Sequence, residues 1–283
     1  MRTKSIKVNE KTVNRVVDWI RNWFDKNGKG CKAVIGISGG KDSTVAAALC
    51  CEALGKENVI GVLMPNHVQS DLDDAKEICE YLGIKSYLIN IGNAVDGIES
   101  MVIGEMRNEI DSVQPQMSIN LPARIRMATL YAVAQNLPHG GRVINTCNRS
   151  EDYIGYSTRY GDSAGDVSIL GDFLVREVRE IGRLLGLPSK WVDKVPSDGL
   201  CGATDEENLG FTYDFLDDYI TRSHFGGLTD EYISENSEVI DKIKNLHEKN
   251  KFKLKLMDVC PRYIIGGRKS NEAKRYVVGQ ITI

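Results

Sequence analysis

The sequence predicts an α/β protein, a doubly wound parallel sheet with helices on both faces, in a chain of 283 residues. Two observations lead there. Four short runs of β-branched and apolar residues, at 31–38 (CKAVIGIS), 57–65 (ENVIGVLMP), 85–91 (KSYLINI) and 141–147 (GRVINTC), read as strands. At least one helical pattern separates each run from the next, and strand–helix alternation calls for parallel pairing through crossovers.

The elements follow in order. Val13, Val16, Val17, Ile20, Trp23 and Phe24 recur at helical spacing and predict an amphipathic helix before the first strand. The segment after Ser43 is alanine-rich and apolar on most sides, as a helix packed into an interior is, and ends near LGKE at 54–57. In DLDDAKEICEYLG (71–83), Leu72, Ala75, Cys79 and Leu82 mark one stripe of a second crossover helix. A later helix is expected to start at NLPARIRM (120–127), with Asn120 as its cap and Pro122 in its first turn. Another runs through VREVREIGRLLG (175–186), with Pro188 beyond its glycine end. No repeat, low-complexity tract or Pro/Gly-rich linker marks a boundary, so residues 1–283 are expected to form one domain.

Composition excludes several classes. Net charge is −3, and the positive residues are scattered apart from a modest cluster at 247–255 (HEKNKFKLK), so no nucleic-acid partner is expected. There is no apolar stretch near the roughly 18 residues that cross a bilayer and no signal-like h-region, which predicts a cytoplasmic protein with no membrane role. The 7 cysteines are odd in number with no CxxC pair, and read as reduced, buried thiols, Cys147 among them at a strand end.

The first strand runs into SGGKDS, residues 38–43. In a parallel sheet ligands collect beyond the carboxyl ends of the strands. Gly39 and Gly40 let the backbone turn sharply and present consecutive N–H groups, Ser38 and Ser43 add hydroxyls, Lys41 adds a cation, and the helix start favours an anion. Such a loop suits pyrophosphate. Asp42 would repel phosphate unless a divalent cation sat between them, and Mg²⁺ takes one or two carboxylates together with phosphate oxygens. A plain strand-to-helix turn also uses glycines for the bend and an acid at the helix start, and the loop alone leaves that open.

SGGKDS after an apolar strand resembles the SGGxDS loop of the N-type ATP pyrophosphatases, which cleave ATP between the α and β phosphates. This implies an adenine nucleotide alpha hydrolase-like, Rossmann-like fold and a loop that holds departing pyrophosphate. Further stretches, covering most of the chain from about Cys31 to Ile220, are similar to ammonia-dependent NAD synthetase. NLPARIRM resembles that family's N-x-x-A-R-x-R helix, which implies that Asn120 and Arg124 hold the dinucleotide. Arginines at a helix start oppose the helix dipole, which also hints at an external anion.

NTCNRSEDYIGYSTRYGDSAGD (145–166) resembles the family stretch with G-T-D-x-x-x-E and T-K-Y-G-D-G-G-x-D. By that match Thr146 contacts ATP, Glu151 joins Asp42 on magnesium, and Asp162 and Asp166 belong to the ammonia and deamido-NAD pockets. Cys147 stands where the family has Asp, and Ser163 and Ala164 replace two glycines. KVPSDGLCGATDEENLGFTYDFLDDYI (194–220) resembles the P-S/T-A-D-L segment and its D-E-x-x-L-G continuation, so Ser197 is the hydroxyl expected at the ATP phosphates. MPNHVQSD (64–71) resembles a P-x-x-x-Q segment, which places Gln69, with Ser70, near ATP.

Two departures stand out. Val175 occupies the position where the family often has a phosphate-contacting lysine, so either Arg176 or Lys41 supplies that charge or the phosphate grip differs here. The C-terminal H-K-R segment is echoed only by Lys251, Lys253 and Lys255, candidates for a closing lid.

The resemblance implies amidation of deamido-NAD to NAD with ATP, Mg²⁺ and ammonia through an acyl-adenylate, in a homodimer, with Asp162 as the catalytic carboxylate. The chain is too short for an added glutaminase domain and has no N-terminal cysteine nucleophile, so free ammonia is the expected donor. The rival readings are another N-type ATP pyrophosphatase, GMP synthetase-like or tRNA-modifying, and a non-catalytic nucleotide-binding module. A tRNA thiolase would carry paired cysteines and a basic face, and a mere binding module would not need Asp42, Glu151 and Asp162 together.

Overall fold

The structure, a computed structural model, describes residues 7–194 and 204–255. Helix α1 (Glu10–Asn27) is capped by Asn9, whose side chain accepts from the Thr12 N–H while Thr12 reaches back. It buries Val13, Val17, Ile20 and Phe24 of the expected stripe, with Val16 and Trp23 partly buried against the same cluster. There follow β1 (Lys32–Gly36), α2 (Lys41–Leu54), β2 (Val59–Leu63), α3 (Leu72–Leu82), β3 (Lys85–Leu88), α4 (Gly92–Met106), α5 (Pro115–Gln135) and β4 (Gly141–Asn145). Then come α6 (Arg149–Ile154), β5 (Val167–Ser168), α7 (Val175–Leu184), α8 (Ser189–Val192), α9 (Asp205–Leu209), α10 (Tyr213–Phe225), α11 (Asp230–Glu235) and α12 (Ser237–Asn250).

The sheet is parallel throughout, in the order β3-β2-β1-β4-β5. The chain leaves β1 toward β2 on one side and returns to β4 on the other. The crevice between the ends of β1 and β4 is therefore the topological switch point, where open α/β sheets bind ligands.

Side chains of β1 alternate between two apolar layers. Ala33 and Ile35 join α1, α2, α3, α7 and α8 in one cluster, while Val34 joins α4 and α5 in another. All three residues have no exposed surface, which is why the strand reads as a continuous apolar run. A third cluster links α6, α9, α10 and α12 to Val175 at the start of α7.

Some expectations change. Helix α5 begins at Pro115, with proline in its first turn, so Asn120 lies inside it and is no cap. Arg124 is then a mid-helix residue, and the helix-dipole argument for an anion there does not apply. The strand predicted through Cys147 ends at Asn145, because the chain must turn there into α6. Strand β5 is an addition: its two residues pair with Ile144 and Asn145. No helix among the described residues is long and apolar enough to cross a membrane.

Candidate active site at the β1–β4 switch point

The loop after β1 is built to leave donors open. Gly39 has φ +85°, a left-handed conformation that glycine adopts without strain, and a Cβ there would lie 2.8 Å from the Asp71 carbonyl oxygen. The loop is thus pressed against the start of α3 and bends there. Gly40 is the N-cap of α2 and supplies no side chain to the first N–H groups of that helix. The serines brace the bend from within: Gly40 N–H donates to Ser38 Oγ at 3.2 Å, and Ser43 Oγ donates to the Gly40 carbonyl at 3.1 Å. A helix start with uncapped N–H groups and a positive dipole end receives anions.

Two carboxylates meet beside it. Asn148, fully buried, donates from Nδ2 to Asp42 Oδ1 at 3.1 Å and from its backbone N–H to Glu151 Oε2 at 3.2 Å. Its own Oδ1 accepts from the N–H groups of Ser150 and Glu151, so one side chain caps α6 and ties Glu151 to Asp42. Burial and the Asp42 charge push the Glu151 carboxyl well above the ordinary carboxylate range. Lys41, 3% exposed, donates from Nζ to Asp42 Oδ2 at 2.7 Å. Burial works to lower its pKa, but Asp42 and Glu151 outweigh that and hold it above the ordinary lysine value.

This donor set fits magnesium. Hard carboxylate oxygens are its ligands, and it completes its shell from phosphate and water, so two protein carboxylates suffice. The Tyr213 hydroxyl, buried within electrostatic reach of Glu151 and Asp42, has no hydrogen-bond partner among the described residues, as a group that meets a hydration water would. No cluster of three His, Cys, Asp or Glu residues able to hold a metal occurs among the described residues.

The loop and carboxylates open onto a cavity of about 910 Å³, a size suited to a nucleotide with a second substrate. Ser38, Gly40, Lys41, Asp42, Ser43 and Glu151 are in its lining, and so are Gln69, Asn120, Thr146 and Asp162. Gln69 sits on a loop fastened to the start of α4: the His67 N–H donates to Asn90 Oδ1, and Asn90 Nδ2 returns a bond to the His67 carbonyl. Asn120 Oδ1 accepts from the Thr158 hydroxyl at 2.7 Å. Asp162 accepts the Thr158 N–H at 2.8 Å. Its carboxylate is reached through the cavity mouth yet has protein on most sides, and this burial raises its pKa. Burial and Asp162 push neighbouring Asp152 up to about 6.

Other expected residues lie elsewhere. Arg124 is exposed, outside the cavity lining, with its Nε on the Arg159 carbonyl. Arg126, two residues on, lines the cavity and donates to the Met64 carbonyl at the end of β2. The Asp166 carboxylate serves the sheet, accepting from the Val143 N–H at 2.7 Å and from Tyr131. Ser70 is exposed and outside the lining, and Ser197 lies outside the described residues.

Val175 is fully buried, and the Arg176 guanidinium is spent on Thr221. The charge expected at the phosphates must come from elsewhere, and Lys41 and Lys194 line the cavity. Lys194 Nζ bonds to Asp71, Asp74 and the Gly39 carbonyl, clamping the loop to the start of α3. Of the three C-terminal lysines only Lys253 lines the cavity, donating to the Gly155 and Ser157 carbonyls.

Sequence reading missed Asn148, Arg126 and Lys194. The capping pattern N-x-x-E at 148–151 was the available signal for the first. Cys147 is buried with its Sγ on the Asp162 carbonyl, and burial raises its pKa, so it is no nucleophile.

A parallel sheet whose switch point joins an open helix start to paired carboxylates defines an enzyme of nucleotide phosphate chemistry. The sequence model of NAD synthase matches residues 12–257. An NH(3)-dependent NAD(+) synthetase of Pyrococcus furiosus is 38% identical over 253 residues, 87% of this chain and 93% of that protein. Another, of Methanococcoides burtonii, is 43% identical over 188 residues, 65% of this chain and 69% of that protein. Among solved structures, NMN synthetase from Francisella tularensis superposes with TM-score 0.77 at 31% identity, covering 90% of this chain and all of that one. An NH3-dependent NAD synthetase from Campylobacter jejuni, in complex with nitrate, gives 0.71 at 27%, with coverage of 89% and 98%. The chain belongs to the NAD synthase family, and its fold is the adenine nucleotide alpha hydrolase-like one.

Proposed function

We propose that this chain is a C–N ligase that amidates deamido-NAD to NAD with ammonia and ATP, releasing AMP and pyrophosphate. The observation that carries the reading is the pairing of Asp42 and Glu151 through Asn148 beside the uncapped start of α2. Membership of the family supplies the reaction class.

A carboxylate cannot lose oxide to an amine, so its oxygen must first become a leaving group. The nicotinate carboxylate attacks the α-phosphorus of ATP, forming the acyl-adenylate and breaking the bond to pyrophosphate. The N–H groups at the start of α2, with Ser38 and Ser43, receive the charge that develops on pyrophosphate. Asp42 and Glu151 would hold Mg²⁺, which neutralises phosphate charge when bound. Gln69 and Thr146 face the nucleotide and Asn120 the dinucleotide, while Arg124 and Asp166, which the resemblance also assigns to the dinucleotide, lie outside the cavity lining.

Asp162 holds ammonium and takes its proton. Ammonia then attacks the acyl carbon and displaces AMP. A carboxyl of raised pKa that opens to the cavity suits this transfer. Below its pKa Asp162 is neutral and accepts no proton, so kcat/KM for ammonium is expected to fall on the acid side. Asp162→Asn should remove that limb and lower turnover by about a hundredfold. An unchanged pH profile would remove Asp162 from the mechanism.

The reading takes 1–283 as one unit, in the cytoplasm, acting as a homodimer. Support for the dimer is the exposure of Met101 (65%) and Ile119 (47%), with Val102, Met106 and Val113, on and between α4 and α5. Light scattering on the purified protein measures the assembly. The central test incubates enzyme, ATP, Mg²⁺ and ammonium with deamido-NAD and separates AMP, pyrophosphate and dinucleotides by chromatography. Nicotinate mononucleotide is the competing acceptor, because the Francisella structure bears the name NMN synthetase. AMP formed with the dinucleotide at the higher kcat/KM is expected, and no AMP with it would overturn the reading.

A further inference from the structure

Lys41 stands in an unusual place for a phosphate-loop lysine. Its side chain turns back onto Asp42, with Nζ 2.7 Å from Oδ2, and its ammonium lies 5.9 Å from the centre of the Tyr213 ring. The Glu151 carboxylate, tied to Asp42 through Asn148, acts on it as well, less than Asp42 does. Position 175, where the resemblance expects a phosphate-contacting lysine, is a buried valine, and Arg176 is turned to Thr221. The carboxylate pair therefore carries its own counter-cation, held on Asp42 Oδ2 while Oδ1 accepts from Asn148.

We propose that Lys41 is a built-in counter-cation of the Asp42–Glu151 pair that excludes a free divalent cation until ATP arrives. The inference rests on the metal assignment made above. Without nucleotide, two carboxylates face one ammonium, and a dication entering beside it meets like charge at short range in a poorly solvated site. ATP brings several negative charges to the start of α2. Its phosphate oxygens draw the ammonium off Asp42 and give it a new partner, and the carboxylates are released to the metal. Lys41 thus does the work of the lysine missing at 175 and at the same time couples metal binding to nucleotide binding. Coupling of this kind is reciprocal, so the metal strengthens ATP binding by the same factor.

The test follows Mn²⁺ by electron paramagnetic resonance of the free ion, with and without a non-hydrolysable ATP analogue. The proteins are wild type, Lys41→Gln, Lys41→Arg, Asp42→Asn and Lys41→Gln/Glu151→Gln, with folding checked by circular dichroism. Wild type and Lys41→Arg are expected to take up Mn²⁺ appreciably only with nucleotide. Lys41→Gln should bind Mn²⁺ alone at least about tenfold more tightly than wild type, a gain lost in the double variant. Wild type that bound Mn²⁺ equally with and without nucleotide would overturn the proposal even if the glutamine variant did not fold. So would a folded Lys41→Gln with no gain. Nucleotide-supported uptake unchanged in Asp42→Asn would instead overturn the metal assignment.

Discussion

Asp42→Asn is expected to lower the rate of AMP formation by about a hundredfold or more while the protein stays folded. Asparagine keeps the shape and the oxygen that accepts from Asn148 Nδ2, so the tie between β4 and the start of α2 survives. It removes the charge that would ligate a dication. Two stability effects oppose each other: Lys41 loses its nearest partner, and Glu151 loses the neighbour that, after burial, does most to raise its pKa. The melting temperature should therefore move little. Steady-state assays paired with thermal melts check both halves, and turnover within a few-fold of wild type would remove Asp42 from the metal site.

Asp217→Ala should act the other way round, mainly on stability. This carboxylate is fully buried. Oδ1 accepts from the Ser150 hydroxyl and Oδ2 from the Arg176 N–H at 2.9 Å, while Ser150 Oγ accepts the Val175 N–H at 3.2 Å. Together Ser150 and Asp217 cap α7 from two other helices, one of them holding Glu151 at the next position. Alanine leaves a buried N–H and a hydroxyl without a partner, a loss of about 3 kcal/mol. The melting temperature should drop by about 6–12 °C. A loss below about 1 kcal/mol would show that water or a neighbour replaces the carboxylate.

The strands carrying the site were legible because a strand buried on both faces must be apolar throughout, as Ala33, Val34 and Ile35 are. Strand β5 was not, since two residues offer no period. The start of α5 was misplaced because Asn120 and Pro122 mimic a start signal that Pro115 already provides. At the site, residues fixed by a local motif were found: the SGGKDS loop and Glu151. Those defined by a distant contact were not. Nothing local in the sequence says that Lys194 reaches the Gly39 carbonyl, or that Asp217 caps a helix beginning at 175. Arg124 came from the resemblance; in the fold it turns to the Arg159 carbonyl, and it is Arg126, two residues on, that lines the cavity.

The strand order has a consequence for how activity can be divided. Asp42 follows β1 and Glu151 follows β4, and the two strands are neighbours only because the sheet turns back past its first strand. Between them residues 107–109 and 111–114, in the connection from α4 to α5, are exposed. A chain severed there yields one fragment with the phosphate loop and another with the second carboxylate, each inert by itself. Recovery of ligase turnover on mixing would then report a single event, the docking of β4 onto β1.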